Sequence, residues 1–437
     1  MWSRRSFLGV AAASVPIARL SAQRGRGATD ALSTLPPSIA ALTSMSDRVK
    51  PITAEERKAR IEKAKSLMTA QKIDAIILAG GTSLNYFTGI RWGNSERLFA
   101  VVIPKIGNPS IVTPAFEEDR TREQLVKGPL EHTDVSVYQE DESPFDRVAQ
   151  GLKDRGIATG RIGVEETTKF VFADSVGGAA PALHITSASP ITAGCRMIKD
   201  AHELTLIRVA CEATVKCYEA VFRALQPGMT QNDASALVDA AYRRLGFPGF
   251  VSVQVGEYTA LPHGSITPQT IREGTIIMLD DGCQVEGYTS DITRTFVLGK
   301  ATDKMKRVFD IVHQAQSAGL NAARPGVPLE SIDAAARKVI VDAGYGPGYK
   351  YFSHRLGHGM GMDMHEWPYL VKNNMFGWDK ALTAQPGMVF SDEPGIYIKG
   401  EFGVRLEDDM SITPNGAQLF TPQSPSIEDP FGTGPHS

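Results

Sequence analysis

Two aspartates, Asp280 and Asp291, stand in a stretch that otherwise reads as a β-hairpin. The run from Thr275 to Leu279 leads into Asp280, Gly282 and Gly287 supply turn freedom, and the run from Ile292 to Leu298 returns as a second strand. The hairpin therefore brings both acids close together. Buried carboxylates without partners are costly, so they must be protonated, matched by cations or bound to metal. Farther along, the chain adds donors of the same kind. His354, His358 and His365 fall in one Gly- and Met-rich run, with glycines that would let backbone approach a ligand closely. Glu393 precedes the Pro394-Gly395 turn, and Glu407 follows the run Gly403 to Leu406. Carboxylates and imidazole without a thiolate cluster suit Mn²⁺, Co²⁺ or Zn²⁺, and four carboxylates with one imidazole are enough for two ions that share bridging ligands. Two ions ~3.5 to 4 Å apart can hold a hydroxide between them and polarise a carbonyl, which is the chemistry of metal-assisted amide hydrolysis. Each residue alone would more simply be a turn former or an ion-pair member; the ordered combination carries the reading.

The elements that must position these residues divide the chain in two. At 437 residues and 42% hydrophobic content the chain is too long for one compact domain to be the first expectation. A net charge of −3, with no basic helix or Arg-rich tract, excludes a nucleic-acid footprint. Arg4 and Arg5, followed by Phe7-Leu8 and a modestly apolar run to Ala18, predict a twin-arginine (Tat) signal over residues 1–22, and hence export to a periplasmic or extracellular compartment. No other segment has the length of apolar chain a membrane span needs. Residues 23–52 read as a linker. Thr53 ahead of Glu56 predicts a capping box, opening a domain over residues 53–192 in which strands at Ala75–Leu78, Leu98–Ile103, Ser110–Thr113 and Arg161–Val164 alternate with helices, and Asn85 to Gly89 makes a turn. Helices at Ala201–Leu225, Gln231–Leu245, Asp303–Ala323 and Leu329–Ala343 follow, over residues 196–437. The punctuation Gln226-Pro227-Gly228 and Arg324-Pro325-Gly326 recurs between helix pairs and predicts duplicated αββ halves. Cys195, Cys211, Cys217 and Cys283 match no zinc or disulfide pattern and read as buried small hydrophobes.

With Leu279-Asp280-Asp281-Gly282, Ser290-Asp291-Ile292-Thr293, Gly357-His358-Gly359, His365-Glu366, Glu393-Pro394-Gly395 and Val404-Arg405-Leu406-Glu407 in this order, the chain resembles the M24 metallopeptidases. Within them it is most similar to Xaa-Pro dipeptidases and aminopeptidases P. The resemblance covers essentially everything after the leader, and is weaker around Asn85 to Gly89. It implies an α/β fold of the α+β kind, a creatinase-like N-terminal α/β domain followed by a pita-bread catalytic domain. It also implies that Asp280, Asp291, His358, Glu393 and Glu407 hold two divalent ions, with Asp291 and Glu407 bridging. Glu393 would act as general base and His365 would stabilise the oxyanion. His263 would contact substrate, His354 would be a hydrogen-bond partner behind the site, and Arg405 would neutralise surplus carboxylate charge. The resemblance implies a homodimer too, with Trp92 or Arg97 of one copy approaching the neighbour's site.

Some positions depart from the family pattern. Where many dipeptidases carry an arginine after His-Glu-Trp-Pro, this chain has Tyr369, which removes a partner for a substrate carboxylate and favours an aminopeptidase P-like activity on proline-containing peptides, with prolidase as the alternative. A non-peptidase hydrolase or lyase on the same scaffold is a further alternative. The segment from Trp367 to Met388, with Phe376 and Trp378, would shape the pocket beyond the scissile bond. Asp281 and Asp392 stand beside ligand positions, and strand alternation predicts that both turn away from the metals.

Overall fold

The computed structural model describes residues 35–374, 379, 381–434 and 436; the twin-arginine segment, Phe376 and Trp378 lie outside the described residues. The first domain is built on a six-stranded sheet. Its spatial order is Asp134–Tyr138, Ser110–Pro114, Ala100–Pro104, Ala75–Leu78, Gly160–Val164 and Leu183–Ser187, a mixture of parallel and antiparallel pairs. Ala75–Leu78 is buried along its whole length, as its unbroken apolar run requires of a central strand. The Thr53 capping box forms as expected, with the Glu56 carboxylate accepting from the Thr53 amide at 2.7 Å, and starts the helix Ala54–Gln71. The expected turn at Asn85 to Gly89 is instead the end of a helix, Thr82–Thr88. Leu84 and Phe87, three residues apart, are both fully buried on it, and Gly89 at φ 81° ends it, so packing outweighs the turn-like local composition.

The second domain repeats one plan. Helices Ala201–Ala224 and Gln231–Leu245 precede a three-stranded sheet of Arg294–Val297, Ile276–Asp280 and Ser252–Val255; helices Asp303–Ala322 and Leu329–Asp342 precede a five-stranded sheet containing Gly357–Gly359, Val389–Asp392 and Asp408–Thr413. These are the expected duplicated halves of a pita-bread fold. The opening hairpin is more elaborate than the sequence suggested: Leu279 pairs with Arg294, and a second small hairpin of Gln284–Val285 and Tyr288–Thr289 is inserted between the strands. Asp291 therefore lies in the descending segment, just before its strand.

All four cysteines are free and buried. Among the described residues no helix is long and apolar enough to cross a membrane. Trp92 is stacked on Phe99 with ring centroids 4.2 Å apart, and Arg97 is held by Glu140 at 2.8 Å, so both are engaged within their own domain.

Candidate metal centre

The two sheets of the second domain deliver their strand ends to a single cavity of about 490 Å³. Asp280 ends its strand, His358 sits mid-strand, Glu393 follows Val389–Asp392, and Glu407 lies between Phe402–Arg405 and Asp408–Thr413. The donor atoms of Asp280, Asp291 and Glu407 lie within 4.8 Å of one another, as do those of His358, Glu393 and Glu407. All five residues expected from the sequence are thus brought together. Glu407 belongs to both triads, and Asp291 joins a further group with His358 and His365, so both shared acids are central to the cluster.

Glycine lets the strand of His358 fit. A Cβ at Gly357 would stand 2.0 Å from the Ser391 carbonyl oxygen, so the strand approaches its neighbour as only glycine permits; this glycine serves strand packing, not the approach of a ligand. The Nδ1 of His358 lies 3.1 Å from the Gly359 carbonyl, which can only accept, and so Nδ1 carries the proton. Nε2 points into the donor cluster, 3.3 Å from Glu393 and 3.6 Å from Asp291.

The electrostatics are lopsided. Among the described residues the acids Asp280, Asp281, Asp291, Glu393 and Glu407 line the cavity with two arginines, Arg355 and Arg405, and the Arg405 guanidinium binds Asp280 and donates to Thr293 at 3.0 Å and Tyr397 at 3.0 Å. Burial, followed by the charge of Asp280, pushes Asp291 well above the usual carboxylate range; burial and Asp291 do the same to Glu407. Glu393 goes the other way: burial raises it, but the bond to His358 and the charges of His354 and Arg405 outweigh this and lower it. The Thr293 hydroxyl lies 2.5 Å from both Asp280 and Glu407 and has one proton to give. Hard oxygen donors with surplus negative charge and one imidazole fit divalent cations, which is the test the donor set must pass.

His354 bonds the Arg355 carbonyl through Nδ1 and Tyr397 Oη through Nε2, both at 2.8 Å, and so links to Arg405 behind the ligands. His263 and His365 line the cavity at its open side. Partial burial and the facing His358 ring, 3.8 Å away, push His365 down to about 4, so its imidazole is neutral at neutral pH and can donate a hydrogen bond. Tyr369 lines a neighbouring cavity instead, beneath the Arg355 guanidinium at 4.1 Å.

The expectation for Asp281 needs correction. Asp281 lines the cavity, because its φ of 95° breaks the alternation that would have turned it away; burial and Asp280 push it up to about 7. Asp392 does turn away: it is fully buried against Gly319, its carboxylate pushed up by burial and by Asp408. Thr293, Ser391 and Tyr397 were not singled out from sequence. Thr293 lies two residues beyond Asp291 and bonds both Asp280 and Glu407.

Fold and site together define a metal-dependent hydrolase. The chain belongs to metallopeptidase family M24: the model of that family matches residues 205–414, and the creatinase/prolidase N-terminal domain matches residues 60–198. A Xaa-Pro dipeptidase of Lactobacillus delbrueckii subsp. lactis is 31% identical over 382 residues, covering 84% of this chain and 98% of that relative. Among solved structures, dipeptidase PepE from Mycobacterium ulcerans is 30% identical with a TM-score of 0.78, covering 85% and 97% of the two chains. X-Pro aminopeptidase from Thermotoga maritima is 27% identical with a TM-score of 0.71, covering 84% and 98%.

Proposed function

We propose that this protein is a metal-dependent exopeptidase that hydrolyses the bond between the first residue and a following proline, with Asp280, Asp291, His358, Glu393 and Glu407 holding two divalent ions of the Mn²⁺, Co²⁺ or Zn²⁺ kind. The observation that carries it is the convergence of these five donors in one cavity around a charge deficit that the polypeptide leaves unfilled. Bound divalent ions would supply an activated water and polarise the scissile carbonyl.

The remaining work falls to side chains. Glu393, held ionised and bonded by the Ser391 hydroxyl at 3.2 Å, takes the proton of the attacking water and passes it to the departing proline nitrogen. Neutral His365 donates to the oxygen that gains charge. His263 contacts substrate from the open side of the cavity. Arg405, braced by Tyr397 and through it by His354, keeps Asp280 oriented.

Within this activity, Tyr369 in place of a cation favours an aminopeptidase P-like preference for longer peptides, whereas the names of the relatives favour the dipeptide. The test is cleavage of Xaa-Pro and Xaa-Pro-Yaa peptides by metal-free protein and by protein reloaded with Mn²⁺ or Co²⁺. Absence of metal-dependent cleavage of both would overturn the reading. The same proposal includes export through the Arg4-Arg5 leader, checked by fractionation of cells carrying the Arg4→Lys, Arg5→Lys variant, and a homodimer, checked by sedimentation.

A further inference from the structure

Three successive acids, Glu407, Asp408 and Asp409, go three ways. Glu407 belongs to the donor cluster. Asp408 pairs with Arg294 at 2.6 Å and accepts from Gln316 Nε2 at 3.0 Å and the Thr421 hydroxyl at 2.8 Å, which accounts for its burial. Asp409 is equally enclosed, yet its Oδ2 accepts only from the Asp291 amide at 3.0 Å and the Cys211 thiol at 3.1 Å, and its Oδ1 has no partner among the described residues. Enclosing a carboxylate for the use of one oxygen is unfavourable where an apolar side chain would fill the same space, so the position needs a reason. The reason lies in the backbone it holds. Asp291 stands before its strand Arg294–Val297, outside the ladder, and the Asp409 side chain takes the place of a ladder partner for its amide. Directly opposite Asp409 in the antiparallel pair is Ser391, whose hydroxyl accepts from the His358 amide at 3.1 Å. Opposed residues share a face of the sheet, so one cross-strand pair grips the backbone of two of the five donors, one from each half of the domain.

We propose that Asp409 is a positioning residue that, with Ser391 opposite it, clamps the backbones of Asp291 and His358 and so fixes the spacing of these two donors. The inference rests on the two-ion reading above. His358 Nε2 lies 3.6 Å from the Asp291 carboxylate, and the two residues come from different sheets, so a shift of either backbone changes the gap that an ion has to fill. A clamp built on neighbouring strands of one sheet sets that gap before an ion arrives. Cys211 then has a purpose beyond filling space: from the helix Ala201–Ala224 its thiol donates to the same oxygen that holds Asp291. What the clamp needs from Asp409 is one acceptor in the Oδ2 place. Asparagine keeps such an acceptor, whereas leucine keeps the shape alone.

The experiment compares wild type, Asp409→Asn, Asp409→Leu, Cys211→Ala and, as a core-truncated control on the same helix, Val209→Ala. Titration with Mn²⁺ by calorimetry and with Co²⁺ by absorption reads the site without substrate. Asp409→Leu is expected to weaken binding of both ions by about 10- to 100-fold and to change the Co²⁺ spectrum. Asp409→Asn should restore most of the affinity, and Cys211→Ala should give a smaller loss, because a thiol is a weak donor. Val209→Ala should melt at a lower temperature and bind the ions as wild type does. Equal losses in Asp409→Asn and Asp409→Leu, no loss in Asp409→Leu, or a comparable loss in Val209→Ala would overturn the proposal. Hydrogen exchange of the Asp291 amide, followed by NMR on metal-free protein, tests the clamp without any ion. It should speed up in Asp409→Leu and stay near the wild-type rate in Asp409→Asn. That result supports the clamp even if the wild type binds neither ion, in which case the two-ion reading fails alone. Unchanged exchange in Asp409→Leu overturns the clamp itself.

Discussion

Two buried polar clusters lie a few residues apart along the segment His358 to Glu366, and their charge balance is opposite. Glu366 is fully enclosed and bound by Lys199 at 2.7 Å and by Arg196, which also takes Asp363 at 2.6 Å. Two acids there meet two cations. Burial raises the Glu366 carboxyl, but Arg196 and Lys199 outweigh it and hold it below the usual range. In the cavity next door, five acids meet two arginines among the described residues, and Asp291 and Glu407 are pushed up. The first cluster is complete within the polypeptide, whereas the second is assembled for charge that the polypeptide does not contain. The direction of the shift alone does not sort the acids, since Glu393 at the cavity is lowered and Asp392, which turns away from it, is raised; the balance of acids against cations around each cluster is what differs.

The largest effect should come from removing an acid of the unbalanced cluster. Asp291→Asn should lower turnover by well over the ~10- to 100-fold typical of residues that only orient ligands, while raising the melting temperature of the metal-free protein. Activity assays paired with calorimetry check both signs, and a fall in metal-free stability would break the comparison. The raised pKa of Asp291 gives the same sign with pH. Its folded form binds a proton more tightly than the unfolded chain, so stability present below the ordinary carboxylate pKa of ~4 is lost as pH rises, and metal-free protein should melt higher at pH 5 than at pH 7.

The same acid-to-amide change in the balanced cluster should act oppositely. Glu366→Gln leaves Arg196 and Lys199 without their shared partner and is expected to cost about 3 to 5 kcal/mol of stability, read by denaturant unfolding. A smaller, purely chemical effect is expected of His365→Ala, about 10²-fold in kcat with metal content unchanged by elemental analysis. The smallest effect concerns an exposed counterpart of the balanced cluster. Glu56 caps its helix and meets His202 at 2.7 Å; burial raises it, but these bonds prevail and lower it to about 2. A depressed carboxylate contributes stability above its unfolded pKa and loses it as pH falls toward 2. Glu56→Gln should therefore cost roughly 1 kcal/mol at pH 7 and flatten the acid side of the stability profile.

Much of this was legible in the sequence for identifiable reasons. The Thr53-to-Glu56 spacing, the helix Gln231–Leu245 between Thr230 and Gly246, and the order of the five donors are local or linear patterns that the fold leaves intact. What escaped depends on three dimensions. The helix Thr82–Thr88 hides in turn-like composition because its support comes from burial of Leu84 and Phe87. Asp281 defied alternation because one residue adopts a left-handed backbone. Arg355 and Tyr369 are 14 positions apart and meet only because neighbouring strands are paired, His358 opposite Tyr369.

The contacts of Asp363 and Glu366 reach beyond their own domain. Thr82 of the first domain bonds Asp363 at 2.5 Å, and Arg196, at the end of the helix that leaves that domain, clasps both acids. His365 lies between these two tethered positions. The chain before Arg196 is thus part of the hinge pin on which the cavity-lining imidazole of His365 hangs, and the two domains are not interchangeable modules. A graft of the second domain onto a foreign first domain would have to carry Thr82 and Arg196 with it, or it would deliver a cavity with its donors in place and its His365 adrift.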